Sequence, residues 1–477
     1  MSTNNTSEPK TETKPTTPAQ VSAKIIPAAL LLPFILVTAL FSLWGFANDI
    51  TNPMVAAFKN ILLINNFESS LVQAAFYGGY CFMAFPAALF LRRFNYKTSI
   101  LVGLGLYATG CLLFIPAGYA MQFGVFLFAY FVMTCGLSFL ETTANPYILS
   151  LGPPETATQR LNFAQAFNPM GSLTGMFIAR ELILAKLNRA TEAERIALGK
   201  TDPAALAQIQ QADLDVIVGP YMVLGFVVAA AFVLFLFMKL PGSEKDKSVS
   251  LRIGETFKRL SQNGAYIQGV VAQAFYVGVQ IMCWTFIIQY AENTYGMSKT
   301  AAQSWNIAAM ITFVSSRFVC TYLLKFVSPG GLLAALATGG GVLICGAMFL
   351  PKTVGIDITL FDTGLAVAGT SGVYFLPFGL LCIAAVSACM SLMFPTIYGI
   401  ALRGLDNEDA KLGSAGLIFA IGGGFFFPPL QGLIMDQKDF HLGILDSTRV
   451  SFVLCLVCFA VILAYGLRTH LVHHAKK

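Results

Sequence analysis

The sequence predicts an all-α membrane protein with twelve transmembrane helices in two related six-helix halves. Of its 477 residues, 56% are hydrophobic and 11% are charged, and the mean hydropathy is +0.69. A soluble domain carries roughly 25% charged residues, so this composition excludes an ordinary soluble protein. A charged linker at 240–263 divides the apolar stretches into six before it and six after it.

A helix needs about 20 apolar residues to cross a bilayer. Twelve stretches are predicted to do so, numbered here as spans 1 to 12: 27–57, 69–91, 99–118, 123–150, 161–184, 216–239, 265–290, 301–326, 330–350, 373–401, 412–434 and 449–467. The polar gap at 185–215 favours a short surface helix, because the run of Ala, Leu and Gln at 204–211 forms helix well. The gap at 351–372 is predicted to be a second excursion outside the membrane.

These stretches define the domain organisation. The first 24 residues are polar and rich in Thr, Pro and Lys, which predicts a disordered tail. The amino-terminal half covers 25–239, the linker 240–263, and the carboxy-terminal half 264–467; residues 468–477 form a second tail.

The basic residues predict the orientation, because Lys and Arg concentrate in cytoplasmic loops. With the amino terminus inside, 19 Lys and Arg fall on the cytoplasmic side and 10 on the other side. Both termini are therefore predicted to be cytoplasmic.

Two short matches suggest that the halves are repeats. Asn145-Pro146-Tyr147-Ile148 at the end of span 4 matches Phe394-Pro395-Thr396-Ile397 at the end of span 10, and Arg160-Leu matches Lys411-Leu at a similar offset. Parallel six-helix repeats place a binding site near the midplane between them. Coincidence is the alternative, because each match is short.

Glu141 is the most informative residue, since it lies deep inside span 4. A charge at bilayer depth costs at least about 2.5–3.5 kcal/mol, so such a residue usually faces a polar cavity and serves a function. Burial disfavours the charged form of a carboxyl group, which suits a proton carrier. Asn145 lies four residues on, on the same face. The alternative is a buried acid paired with a base such as Arg317.

Span 1 carries a second acid among amides. Asn48 and Asn52 share a helix face, and Asp49 lies three residues before Asn52. Amides both donate and accept hydrogen bonds, which suits sugar hydroxyls. The alternative is a hydrogen bond between helices. Asp49 is predicted to assist Glu141 in proton coupling.

Further amides and aromatic rings complete a lining typical of a sugar site. The predicted substrate-binding residues are Asn48, Asn52, Gln73, Tyr77, Asn145, Asn162, Gln165, Asn168, Tyr276, Gln280 and Trp284. None is basic, so an anionic substrate is disfavoured. Interfacial anchoring is the alternative for the Tyr and Trp side chains.

Several partners are disfavoured. The ten cysteines lie in apolar stretches, and their spacing suggests neither a metal site nor disulfides. The spans contain no His and no nucleophile–base set, so an enzyme, a metal and a cofactor are not expected. The basic residues lie in short loops, which disfavours nucleic acid. The expected partners are a neutral sugar, protons and the lipid bilayer, with the chain as a monomer.

Several motifs together resemble the L-fucose permease type of the major facilitator superfamily. They are Leu43-Trp-Gly-Phe-Ala-Asn48, Gln73-Ala-Ala-Phe-Tyr-Gly-Gly-Tyr80, Leu140-Glu-Thr-Thr-Ala-Asn-Pro146, Arg160-Leu-Asn-Phe-Ala-Gln-Ala-Phe-Asn168, Gln273-Ala-Phe-Tyr-Val-Gly-Val-Gln280 and Cys283-Trp284. The resemblance implies a sugar–proton symporter of the bacterial inner membrane. It also implies that Glu141 is the membrane glutamate and that Asn162, Gln165 and Asn168 are the amides of span 5. Members usually have an aspartate where this chain has Asn52, so Asp49 takes over that role or Glu141 titrates alone.

We therefore expect a proton-coupled symporter for L-fucose or a related hexose such as galactose or glucose. A facilitative uniporter and a drug–proton antiporter are the alternatives within transport. A sugar receptor without transport is a further alternative.

Overall fold

The computed structural model describes residues 30–152, 160, 163–241, 253–323, 326–358, 367–368, 374–403, 405, 407–437 and 445–474. The predicted amino-terminal tail at 1–24 and the predicted site residue Asn162 lie outside the described residues.

The amino-terminal half consists of helices. They are α1 (Leu31–Thr51), α2 (Met54–Leu62), α3 (Asn66–Arg93), α4 (Tyr96–Leu112), α5 (Phe114–Ala120), α6 (Phe123–Ser150), α7 (Phe167–Ile178) with a π-turn at Ala179–Leu184, α8 (Glu192–Thr201) and α9 (Pro203–Phe237).

The linker and the carboxy-terminal half follow. They contain α10 (Ile253–Gln262), α11 (Gly264–Tyr295), α12 (Lys299–Leu323), α13 (Pro329–Phe349), β1 (Gly355–Ile358), β2 (Val367–Ala368), β3 (Tyr374–Pro377), α14 (Phe378–Met390), α15 (Met393–Ala401), α16 (Asn407–Phe419) with a 3-10 turn at Ala420–Gly422, α17 (Gly423–Asp436), α18 (Ser447–Ser451) and α19 (Val453–His474).

Within the described residues, ten helical segments are long and apolar enough to cross a membrane. They coincide with ten of the predicted spans. The other two predicted spans, 5 and 8, correspond to α7 with its π-turn and to α12. Both are helical but carry charges, such as Arg180 in the π-turn and Arg317 in α12. Together with the ten apolar segments, they make the fold consistent with twelve membrane helices.

The structure differs from the sequence prediction at several boundaries. The helix of span 6 begins at Pro203, so residues 204–211 extend that helix instead of forming a separate one. The separate surface helix is α8, which a capping box of Thr191 and Glu194 begins. The second excursion contains an antiparallel sheet in the order β1-β3-β2, which the sequence reading did not predict. The last helix continues to His474.

Close packing of α1 on α7 positions the first half of the site. Gly171 of α7 lies so near the backbone of α1 that an added Cβ would be 1.8 Å from the carbonyl oxygen of Ser42. Gly45 of α1 meets the carbonyl of Asn168 in the same way. Small residues let membrane helices approach closely. The polar residues of spans 1 and 5 are therefore held side by side.

The two halves meet along α3, which packs against both α16 and α17. Because α1 with α2 crosses the membrane once, α3 begins at the face opposite the one where α1 begins. We call the face where α3 begins the distal face and the other the proximal face.

Candidate substrate and proton site

Asp49 is the centre of a hydrogen-bonded network on α1. Its side chain is 1% exposed and accepts bonds from Asn52 Nδ2 at 2.9 Å and from Asn48 Nδ2 at 3.4 Å. Amide donors compensate a buried carboxylate for part of the water that it loses. The sequence places Asp49 three residues before Asn52, and in the structure a hydrogen bond joins the two side chains.

Two side chains of α3 connect the network to span 2. Gln73 Nε2 donates to Asn52 Oδ1 at 3.0 Å, and the Tyr77 hydroxyl donates to Asn48 Oδ1 at 2.8 Å. Gln73 and Asn52 are fully buried, whereas Asn48 is half-buried. Asp49 is therefore linked to span 2 by two routes. Asn52 connects it to Gln73, and Asn48 connects it to Tyr77.

Span 5 contributes to the same region through α7. Asn168 Nδ2 donates to the carbonyl of Phe41 at 3.3 Å, and the Ser172 hydroxyl donates to the carbonyl of Gly45 at 3.4 Å. Ser172 also lies beside the Asp49 carboxylate. Asn168 is thus tied to the backbone of α1, which fixes its position near the network.

Glu141 lies on α6 with part of its side chain exposed. Its Oε2 is buried and has no hydrogen-bond partner among the described residues. Asn145 Nδ2 donates to the backbone carbonyl of Glu141 at 3.1 Å, and Gln165 Nε2 donates to Asn145 Oδ1 at 3.1 Å. Glu141, Asn145 and Gln165 therefore form a group, and the carboxyl group keeps free hydrogen-bonding capacity.

Two tyrosines of α3 connect the two acids. Tyr77 lies within electrostatic range of Asp49, and Tyr80 lies within electrostatic range of Glu141. Their rings stack with centroids 6.3 Å apart. The structure thus brings the two predicted proton-coupling residues to either end of one aromatic pair.

The carboxy-terminal half contributes Tyr276 of α11. It is 1% exposed, its ring meets Phe394 edge-on at 6.1 Å, and it lies within electrostatic range of Tyr77 across the interface. Gln280, four residues on, is half-buried. These contacts place Tyr276 at the junction of the halves, where a site shared by both is expected.

Trp284 lies deeper within its own half. It is 4% exposed, its Nε1 donates to the Ser387 hydroxyl at 3.1 Å, and its ring meets Phe313 edge-on at 5.1 Å. The hydrogen bond and the ring contact both hold it between α11, α12 and α14. Its role in substrate binding stays a prediction.

Sequence reasoning missed Tyr398 of α15. Its hydroxyl is hydrogen-bonded to the hydroxyl of Ser414 and lies within electrostatic range of Glu141 of the other half. The repeat match at Pro395 was the signal that could have found it, because Tyr398 follows that proline by three residues. Tyr398 brings a hydroxyl of the second half near the acid of the first.

The charges around the two acids are few. Arg317, the base considered as a partner for Glu141, donates to the carbonyl of Ser391 at 3.2 Å and lies 4.8 Å over the ring of Phe313, both in its own half. In the part of the chain that the structure describes, neither Asp49 nor Glu141 forms an ion pair. No group of acidic, His or Cys side chains that could hold a metal is found among those residues. The arrangement suits a neutral solute and a proton.

These features define a class of protein, and the comparison with known families agrees with it. Residues 35–382 match the Major Facilitator Superfamily. The match covers well over half of the chain, so the chain belongs to this superfamily, and it is a transporter and not an enzyme.

Individual members of known function also match nearly the whole chain. The chain is 47% identical over 450 residues to the L-fucose-proton symporter of Haemophilus influenzae, covering 94% of this chain and 99% of the relative. It is 30% identical to the glucose/galactose transporter of Brucella abortus, covering 90% of this chain and 92% of the relative. A crystal structure of the Escherichia coli fucose:proton symporter is 28% identical with a TM-score of 0.65, and the match covers 92% of this chain and 98% of that chain.

Proposed function

We propose that this transporter is a proton-coupled symporter that imports a neutral monosaccharide, L-fucose or a related hexose such as galactose or glucose. The observation that carries the proposal is a pair of acids, Asp49 and Glu141, placed among amides and tyrosines with no ion-pair partner in the described part of the chain. The names of the relatives, a fucose–proton symporter and a glucose/galactose transporter, support the same substrate class.

We assign binding and release of the coupled proton to Glu141. A carboxyl group without a cation partner is strongly favoured in its neutral form when water is excluded, and in its charged form when water reaches it. Its Oε2 lacks a partner among the described residues, so a proton or a sugar hydroxyl can occupy that position. Protonation of Glu141 thus removes its charge before the site closes to one face of the membrane and opens to the other. Proton binding and this conformational change are therefore coupled.

Asp49 is assigned a modulating role. Its amide partners Asn48 and Asn52 favour the charged form by hydrogen bonding, whereas burial disfavours it. The stacked pair Tyr77 and Tyr80, which neighbours Asp49 at one end and Glu141 at the other, is the proposed structural link between the two acids.

We assign binding of the sugar to the amide and aromatic side chains. Asn48, Asn145 and Gln165 are not fully buried, so their donors and acceptors can reach hydroxyl groups of a solute. Tyr276 and Gln280 supply the surface of the second half. Asn52, Gln73 and Trp284 are buried and are proposed to support this surface from behind. Asn168 is half-buried and bonds to the backbone of α1 beside it.

The proposal includes a monomer in the bacterial inner membrane with both termini in the cytoplasm. The excess of Lys and Arg on one side supports this orientation.

Reconstituted vesicles test the function. Without a membrane potential or pH gradient, addition of L-fucose to the outside is expected to make the external medium more alkaline, because each sugar carries a proton inward. Galactose and glucose are compared with L-fucose, and mannitol serves as the control. Sugar entry without a pH change would identify a uniporter. A pH change with lipophilic cations, and none with any sugar, would identify a drug–proton antiporter.

A further inference from the structure

The start of α3 is capped by both halves of the protein. The first backbone N–H groups of a helix have no partner within the helix. Asn65 N donates to the Glu68 carboxylate at 3.0 Å, and Glu68 N donates to Asn65 Oδ1 at 2.7 Å, which forms a capping box within this half. Between them, the N–H groups of Asn66 and Phe67 donate to the carboxylate of Asp436 at 2.9 and 2.8 Å. Asp436 belongs to α17 of the other half and completes the cap.

The same contact is reinforced by side-chain bonding and close packing. Asn66 Nδ2 donates to Asp436 Oδ1 at 2.7 Å. Gly432, one turn earlier on α17, lies so close to α3 that an added Cβ would be 2.6 Å from the carbonyl oxygen of Asn66. At the depth of the site, a Cβ on Gly424 would be 2.5 Å from the ring of Tyr77. The two helices therefore touch from the distal face inward to the acid network.

A second pair of helices meets at the same face. The π-turn Ala179–Leu184 ends the fifth predicted span at the distal face, and it packs against α12, which begins there. Both contacts join one half to the other. The contact between α3 and α17 therefore lies between the distal face and the network around Asp49.

We propose that Asp436 is a latch between the halves, which holds the distal face closed and has to be released whenever the site opens to that face. An anionic side chain at a helix amino terminus is stabilised by the helix dipole, and hydrogen bonds to a charged group are stronger than neutral ones. Asp436 is only half-buried, so water can replace its partners when the halves part. This makes the latch reversible. The inference goes beyond the proposed function, because it concerns which face is closed and holds for any solute.

Hydrogen–deuterium exchange of the full-length protein in nanodiscs, without sugar, tests the latch. In Asp436→Ala, peptides from the start of α3 and from the end of α17 should exchange at least about tenfold faster than in the wild type, because three charge-assisted bonds between the halves are lost. Peptides from the proximal end of α3 and from α16 should exchange more slowly, since opening one face closes the other.

Gly432→Ala should change the same peptides in the same direction, because the added methyl group pushes α17 away from α3 while Asp436 is kept. Gly341→Ala is its control, since nothing lies within 4 Å of a Cβ there. Glu68→Ala is the control for fraying, because it loosens only the first turn of α3.

Two results would overturn the proposal. The first is exchange at the end of α17 that equals the wild-type rate in both Asp436→Ala and Gly432→Ala. The second is a change confined to the first turn of α3, as in Glu68→Ala. If Asp436→Ala raises exchange in every helix, that variant is unfolded, and Gly432→Ala decides by the same criterion.

Discussion

Asn52 donates a 2.9 Å hydrogen bond to Asp49, the residue three positions earlier on α1. The resemblance to fucose permeases implies an acid at the position of Asn52, and here the acid lies one turn earlier. The two side chains form one acid–amide pair, so we expect Asp49 to supply the charge from the neighbouring position. The charge stays in the same network, which Gln73 and Tyr77 connect to α3.

Exchange of the two residues tests this relationship. Asp49→Asn alone should lower the initial rate of proton-driven sugar uptake about tenfold, because hydrogen bonds to a charged group are worth about 1.5–3 kcal/mol. The double variant Asp49→Asn with Asn52→Asp restores an acid–amide pair and should recover most of the rate. A double variant as slow as the single one would mean that the position of the acid, and not the pair, matters.

Tyr77→Phe removes the hydroxyl that donates to Asn48 at 2.8 Å. Asn48 is then less well positioned for a sugar hydroxyl, at a cost of about 1 kcal/mol. The sugar concentration at half-maximal uptake should rise several-fold while the maximal rate changes little. Tyr119→Phe is the control, because that ring is 79% exposed. An equal effect of the two substitutions would argue against a role for the Asn48 contact.

A buried ion pair outside the site is expected to control stability. Arg195 donates to Asp213, with their side chains 0% and 4% exposed, and Asp213 also accepts from the backbone of Asn188 at 2.7 Å. Asp213→Asn leaves the Arg195 charge buried without its partner, which costs about 3–5 kcal/mol. The melting temperature of the purified protein should fall by several degrees. Asp215→Asn, at an exposed position on the same helix, should leave it unchanged.

The linker helix α10 is held to α16 by Arg259, which donates two bonds to Asp409 at 2.6 and 3.1 Å. These bonds hold the pKa of Asp409 below its usual value. A lowered pKa means that the contribution to stability is complete above the ordinary pKa of about 4 and is lost as the pH falls through the lower folded value.

Trypsin cleavage at Arg259 measures this contact. Asp409→Asn should be cleaved several-fold faster than the wild type at pH 7, because the guanidinium group is released. The wild-type rate, corrected for the activity of trypsin itself, should not vary between pH 5 and 8. A wild-type rate that rises as the pH falls from 8 to 5 would contradict the assigned titration.

The sequence predicted the parts of the fold that depend on composition and local pattern. Long apolar stretches locate most helices, because a bilayer demands length and hydropathy. The start of α9 was misplaced by thirteen residues, since a polar extension outside the membrane carries no hydropathy signal. The small sheet at β1 to β3 was missed for a related reason, as its strands are two to four residues long.

The sequence singles out candidate site residues where the residue type is costly in a membrane. Glu141 and Asp49 stand out because an acid at that depth needs a reason. Tyr398 and Asp436 do not stand out, since a tyrosine in a span and an acid at a helix end are ordinary. They become candidates through contacts across the halves, and neither composition nor helical spacing reveals which residues of two distant helices meet.

The most direct test of the central claim is transport by Glu141→Gln in vesicles, compared with Glu192→Gln, which alters an exposed glutamate. Glutamine keeps the shape and hydrogen bonding of the protonated acid but cannot release a proton. Sugar accumulation driven by a pH gradient should disappear in Glu141→Gln, whereas exchange of labelled for unlabelled sugar across the membrane should persist. Glu192→Gln should retain both activities. Accumulation by Glu141→Gln at the wild-type level would contradict the assignment of the coupled proton to this residue.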